Sequence, residues 1–349
     1  MIALDHSSAF PVVKAFLEHI FNQFQMIDEL QRPNSCLVFT EPPQLPLSVK
    51  ELLLRFLFEE IQITRLCLLP KPLAISLLFD VETCIVVDSG ATNTAVYVVL
   101  DGRVDTERTR TASVGGWHVS QFLKQALSCR DHKEAGATAS CLDASQVKQR
   151  CRLSLNLSRE EHRASRTETL HVKSMRGRGH WRGGGQEARL EYTEVSLSSE
   201  LYLAPEMMYA SLDLVNMIVE ATQDLPPHYI KDCFSHILIQ GGFILTALCQ
   251  QQLNMIFCLG GNTDLQGFVP RLSSDLREAL PEHSAIINVC SDPTGNHSWN
   301  TAMGANMAKV PAKYDDVLRL HEPGTPFWIS REEYILFGSH QLTETGAEM

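Results

Sequence analysis

Apolar residues recur at three- and four-residue steps near the start of the chain, at Phe10, Val13, Phe16, Leu17, Ile20, Phe21 and Phe24. That spacing predicts a helix lying on a core. Cys36 to Thr40 (CLVFT) reads as a buried strand stopped by Pro42 and Pro43. Leu47 to Glu60 (LSVKELLLRFLFEE) is helical again, with Ser48 and Glu51 at the spacing of a capping box. A second strand, Leu66 to Leu69, precedes another short helix. Strand and helix alternating at this rhythm predict an α/β fold with a mostly parallel sheet.

From Glu82 the pattern changes to TCIVVDSG followed by ATNTAVYVVLDGRV. Two β-rich runs around a tight bend at Asp88 to Asn93 predict a hairpin. Its small residues would let backbone N–H groups approach a phosphate, and Asp88 would hold a metal through water. The same residues also suit a plain β-turn with a capping Asp. Thr111 to Leu127 opens on a Gly-Gly turn and continues as an amphipathic helix through Val119, Phe122, Leu123 and Leu127. After Ser145, QVKQRCRLSLNL predicts a helix with Lys148 and Gln149 on its outer side.

Further on, the strand Ser235 to Gln240 (SHILIQ) ends in Gly241-Gly242, and Gly260-Gly261 repeats that ending before NTDLQGF. With the intervening residues excised, SHILIQ-GGNTDLQGFVPRL is one continuous strand, turn and helix. Phe243 to Leu259 therefore reads as an apolar insertion looped out of a finished unit, the other reading being an extra core helix. Deleting residues 243–261 should then raise soluble yield and stability. The insertion carries Gln250, Gln251, Gln252 and Asn254 at its middle and falls short of the roughly 20 apolar residues a membrane span requires.

Composition narrows the partners. The 349 residues are 44% hydrophobic and 20% charged, and 30 Lys+Arg against 41 Asp+Glu leave a formal charge of −11. That balance disfavours binding to nucleic acid or anionic lipid through the overall field. The exception is residues 163–189 (RASRTETLHVKSMRGRGHWRGGGQEAR), with seven basic residues against two Glu and five Gly. This stretch reads as a disordered, solvated insertion, its arginines and Trp181 offering the one direct contact to nucleic-acid phosphates. The ten cysteines are scattered singly without a CxxC pair, as expected of reduced core thiols in a cytosolic or nuclear protein. The opening MIALDHSSAF lacks a basic start followed by a long apolar run, so export is not expected.

Several segments, in order, resemble the actin-related proteins of the actin and sugar-kinase superfamily. They are VFTEPP (38–43), FLFEE (56–60), IVVDSG (85–90), QVKQR (146–150), LYLAPEMMY (201–209), LIQGG with GGNTDLQGF, WNTAMGANMA (299–308) and FWISREEY (327–334). The resemblance implies an actin-like (ribonuclease H-like) fold of two α/β lobes holding a nucleotide and a divalent metal between them. The first lobe is expected to be incomplete, because the family's opening strand, Gly-rich first phosphate hairpin and small lobe have no counterpart here. Residues 1–140 would be what remains of the first lobe, 141–290 the second lobe with the insertions 163–189 and 243–259, and 291–349 a return to the first.

By the same resemblance, Asp88, Ser89 and Gly90 match the second phosphate hairpin, with Asp88 nearest the metal. Lys148 matches the residue beside adenine and ribose, next to Gln149 where the family has an acid. Gly260, Gly261 and Asn262, or the duplicate Gly241 and Gly242, match the turn that approaches adenine and phosphate. The departures are Ala91 and Thr92 within the hairpin, Ala95 in place of a water-aligning His, and Lys71 or Pro72 in place of the water-positioning Gln. Phosphoryl transfer depends on positioning and electrostatic stabilisation, so the nucleotide site is expected to be vestigial: no ATPase, and no cofactor, ATP with magnesium being the one candidate. What remains is a non-catalytic subunit of a protein assembly, of the nuclear chromatin-remodelling class by FEEIQI, IVVDSG, PPHYIKDCF and WISREEY. A dynactin-like or other cytoskeletal subunit, placed in the cytoplasm, is the second reading, and an ATPase of the superfamily the third.

Overall fold

The computed structural model describes residues 6–23, 27–31, 36–41, 45–79, 81–131, 147–155, 168–175, 190–240, 243–249, 252–258, 265–291 and 328–338. Gly241, Gly242, Gly260, Gly261, Asn262 and the tract 299–308 lie outside them.

Two helices, α1 (His6–Gln23) and α2 (Ile27–Leu30), precede β1 (Cys36–Glu41). Then come α3 (Leu47–Arg55), a π-helical turn (Phe56–Ile61), β2 (Arg65–Pro70) and α4 (Lys71–Phe79). β1 and β2 pair in parallel from Leu37↔Leu66 to Glu41↔Pro70, as an α/β rhythm requires. Leu17, Ile20 and Phe21 of α1 pack with Leu37, Leu53, Leu54, Phe56, Leu57, Phe58 and Leu66 in one core. Only the second half of α1 is buried, however, and Val13 and Phe16 of the expected stripe are exposed. The capping box at Ser48 and Glu51 does not form: α3 begins at Leu47 on Pro46, which puts Ser48 inside the helix rather than at its cap. A capping box does form at Ser330 and Glu333.

A second sheet is built on β3 (Cys84–Ser89), β4 (Thr94–Leu100) and β5 (Arg103–Ala112), an antiparallel meander with the predicted bend between β3 and β4. α5 (Gly116–Asp131) follows the Gly-Gly turn. The predicted helix after Ser145 is a single turn in the described residues, and 151–155 leave it as irregular chain. Arg152 N donates to Leu201 O and Leu153 N to Gln266 O, so neighbouring elements take up the amides that a helix would have used internally.

Residues 163–189 were expected to be disordered throughout. The structure instead places β6 (Glu168–Met175) within them, paired antiparallel to β7 (Leu190–Leu197). Period-two runs on either side of the Gly-rich part close a hairpin that local composition concealed. α6 (Glu200–Leu212), α7 (Leu214–Thr222), α8 (Pro227–Ser235) and β8 (Ile237–Gln240) follow. β8 adds to β3 in parallel, and β11 (Val289–Cys290) adds to β8. Between β8 and β11 stands α9 (Phe268–Ala279). Val87, Val96, Leu123, Met208, Ile218, Ile239, Phe268 and Leu272 belong to the core on this sheet.

The largest departure is the apolar insertion. It is neither looped out nor helical but forms β9 (Phe243–Cys249) and β10 (Gln252–Cys258), an antiparallel hairpin. β9 pairs with β1, so the first sheet has the order β10-β9-β1-β2-β12, with β12 (Trp328–Ser330) antiparallel to β2 and leading into α10 (Arg331–Phe337). Because the hairpin satisfies one edge of β1, the expectation attached to its removal reverses. Deleting residues 243–261 should lower soluble yield and the unfolding temperature by opening that edge; thermal melts of the two chains side by side check this.

Candidate functional site

The C-terminal ends of the parallel strands converge here. Asp88, on β3, opposes Ala95 of β4 on one side and Gln240 of β8 on the other. In the first sheet, Glu41 ends β1 beside Pro70 of β2, and the next residue, Lys71, begins α4. Lys71 Nζ lies 2.6 Å from Asp88 Oδ2, and only 10% and 16% of the two side chains are exposed. A lysine directly after a first-sheet strand is thus clamped to an aspartate near the end of a second-sheet strand. Asp88 Oδ1 is buried without a hydrogen-bond partner among the described residues. Burial pushes the Asp88 carboxyl above its ordinary range, and the Lys71 ammonium offsets only part of that.

Glu41 repeats this arrangement. Its Oε1 meets Lys50 Nζ at 2.6 Å, its Oε2 has no hydrogen-bond partner among the described residues, and burial again raises the carboxyl despite the lysine.

The rest of the predicted hairpin site is directed inward. Ser89 and Thr94 hydroxyls are 2.9 Å apart, and Thr94 Oγ1 donates to Val114 O at 2.9 Å; Ser89 Oγ therefore donates to Thr94. Gly90 N–H closes the bend on Asn93 O at 2.9 Å. The bend's carbonyls take up the start of α5, since Gly116 N donates to Gly90 O at 3.1 Å and Trp117 N to Ala91 O at 2.7 Å. Two amides at a helix start, the groups an anion would seek, are thus spent on the hairpin. This packing requires Gly115, where a Cβ would stand 2.6 Å from Gly90 O and 2.7 Å from Ala91 O.

Lys148 sits on its helical turn half-buried rather than on an outer face, and burial lowers its ammonium below the usual lysine range. Its segment is fastened to the chain that follows the second Gly-Gly pair. Gly267, at φ +90°, lies so close to Leu153 that a Cβ would stand 2.1 Å from its carbonyl oxygen. Beside it, Arg271 Nη1 donates to Ser154 O at 2.7 Å and to Glu206 Oε1 at 3.0 Å, while Ser154 N donates to the same Glu206 oxygen at 3.0 Å. Asp275 completes the network, accepting from Arg271 Nε and from Tyr209 OH. Gly115 belongs to the Gly-Gly turn read from the sequence, whereas Gly267, Glu206 and Arg271 were given no role there.

The residues present do not fit the divalent metal that the resemblance implies at Asp88. One of its oxygens is engaged by an ammonium, and among the described residues no three His, Cys, Asp or Glu side chains gather to hold an ion. Among the described residues, Cys67, Cys84, Cys151 and Cys233 are buried free thiols, and burial pushes Cys151 and Cys233 up to about 12.

Two outcomes follow from the ion pair. Lys71→Met, which leaves Asp88 buried and unpaired, should cost about 3–5 kcal/mol of stability, measured by denaturant unfolding. The raised carboxyl also sets the sign of a pH dependence: the folded state holds the Asp88 proton at higher pH than the unfolded state, so this group's contribution falls as pH rises out of the carboxylate range. Wild type should therefore gain stability relative to Asp88→Asn as the pH is lowered from 7 towards about 4, in paired melts across that range.

Comparison with known proteins places this geometry. A family model described as Actin matches residues 11–342. Actin-related protein 6 of Drosophila melanogaster is 24% identical over 307 residues, covering 82% of this chain and 73% of that protein. Actin-like protein ARP6 of Yarrowia lipolytica is 26% identical over 214 residues, covering 57% of this chain and 50% of its own length. Actin-related protein 2 of Acanthamoeba castellanii is 24% identical over 329 residues, 91% of this chain and 75% of the other. With the family pattern running through nearly the whole α/β chain, the protein belongs to the actin family.

Proposed function

We propose that this chain is a non-catalytic, structural subunit of a multiprotein assembly, its nucleotide cleft closed by its own side chains. The observation that carries the reading is the Lys71 ammonium on Asp88, at the position where the family resemblance calls for a metal-proximal carboxylate. Lys71 adjoins Pro72, the alternative alignment for the water-positioning Gln, and Ala95 opposes Asp88 where the resemblance calls for a His. A positive side chain on the metal-side acid, with two water-orienting groups missing, leaves hydrolysis without positioning or charge stabilisation.

Exposed apolar side chains support a role in assembly. Ile335, Leu336 and Phe337 on α10 are 71%, 74% and 57% exposed, and Val12 on α1 is 73% exposed. Surfaces of this kind belong against partners. Among assemblies, the nuclear chromatin-remodelling class is preferred on the segments FEEIQI, IVVDSG, PPHYIKDCF and WISREEY, and similarity to proteins named actin-related protein 6 from two organisms supports a divergent member. A dynactin-like cytoskeletal subunit is the second reading, favoured by the spacing of LLPKPLAISLLFDVETCIVVDSG.

Calorimetric titration of the purified chain with ATP and magnesium tests the closed cleft. Binding should be weaker than about 1 μM, or roughly −8 kcal/mol, with no steady-state phosphate release. Tighter binding, or turnover, overturns the reading.

A further inference from the structure

Two hairpins hold matching places in the two sheets. In the second sheet the β3–β4 hairpin is added to the edge of the parallel pair β8 and β11; in the first, the β9–β10 hairpin is added to the edge of the parallel pair β1 and β2. Their directions differ. β3 runs parallel to β8, whereas β9 runs antiparallel to β1.

The route of the chain explains the difference. β8 ends in the second sheet at Gln240, opposite Asp88. Only Gly241 and Gly242 separate it from Phe243, three peptide steps that span at most about 11 Å. The chain then enters the first sheet near the Glu41 end of β1, with Leu245 opposite Phe39, and runs back until Leu248 opposes Cys36. After the turn β10 returns, and Cys258 comes to rest opposite Phe243. Leu265 and Phe268, a few residues on, are buried in the core of the second sheet. Both ends of the hairpin thus belong to the second sheet's half of the molecule, and its body belongs to the first sheet.

We propose that Phe243–Cys258 is a strap, a hairpin lent by the second-sheet half to the edge of β1 so that the two halves are held together by a backbone ladder. Without it, the N–H and C=O groups on that edge of Cys36 to Phe39 would present an open template for strand addition. With it, the edge is filled from within the chain. Gln240, where the strap departs, sits beside Asp88, so strap and Lys71–Asp88 pair cross between the halves at one place. Separating the halves would break ladder and ion pair together, and the short Gly-Gly link leaves little slack. The strap stands independently of how the nucleotide cleft is read.

Cross-linking in the full chain tests it. Cys36 and Leu248 are directly opposite in the register, and such positions bring Cβ atoms to about 4.5–5.5 Å, close to disulfide reach. Under mild oxidation, Leu248→Cys should form a link to Cys36, identified by non-reducing peptide mapping, and the linked chain should melt above its reduced form. Ile256→Cys, on the outer strand opposite Leu245, should not link to Cys36. A free Cys36 in the first variant, or equal linking in both, overturns the strap. Hydrogen exchange on the unaltered chain gives a second readout that needs no substitution. Slow exchange across residues 243–249 supports the strap, and exchange at the rate of an unstructured peptide overturns it.

Discussion

A lysine that opens the helix after a first-sheet strand and an aspartate near the end of a second-sheet strand, both shielded from water, form the constraint around which this molecule is organised. Lys71 is fixed by the boundary between β2 and α4, and Asp88 by its neighbours Ala95 and Gln240. In water such a pair contributes little. Here, removing either partner would strand the other in a desolvated site, so the pair gives the junction one arrangement rather than a large net stability.

The same economy shapes the hairpin bend. Its polar groups are used within the protein: Gly90 N–H on Asn93, the carbonyls of Gly90 and Ala91 on the start of α5, the Ser89 hydroxyl on Thr94. Gly115 permits this contact by having no side chain. The bend is therefore rigid and internally satisfied. Lys148 is half-buried on a segment that Gly267, Arg271 and Glu206 fasten in place.

Local patterns made much of the fold legible. The strands at Cys36, Leu66, Cys84, Thr94 and Ile237 and the bend at 88–93 stand where periodicity and turn residues put them. Short apolar runs beside Gly and Pro are determined within a few residues, so they survive the absence of tertiary context. What escaped were features decided by distant partners. β6 hides in a basic, Gly-rich stretch because β7 supplies its ladder, and the helix expected after Ser145 stops because Leu201 and Gln266 take its amides. Val13 and Phe16 fit the helical stripe but find no neighbouring element over them among the described residues. Asp88, Ser89 and Gly90 were identifiable as a constellation; that Lys71 would close on Asp88 was not, since the residues are 17 apart, one opening a helix after a first-sheet strand and the other on a second-sheet strand.

The insertion shows why an apolar run cannot be judged from its flanks alone. Phe243 to Cys258 interrupts a strand-turn-helix unit, and its cost would be high if the side chains stayed in water. The decisive fact lies some two hundred residues upstream, at an edge of β1 whose backbone groups need partners. Alternating VFT-type strands supply such an edge whatever stands beside them, since backbone pairing is nearly indifferent to sequence and side chains only choose the register. An inserted hairpin with β-forming residues therefore needs only proximity to be taken up. Proximity is what the Lys71–Asp88 contact secures, because it places the end of β8 at the end of the first sheet. The ion pair and the strap are successive consequences of a single junction.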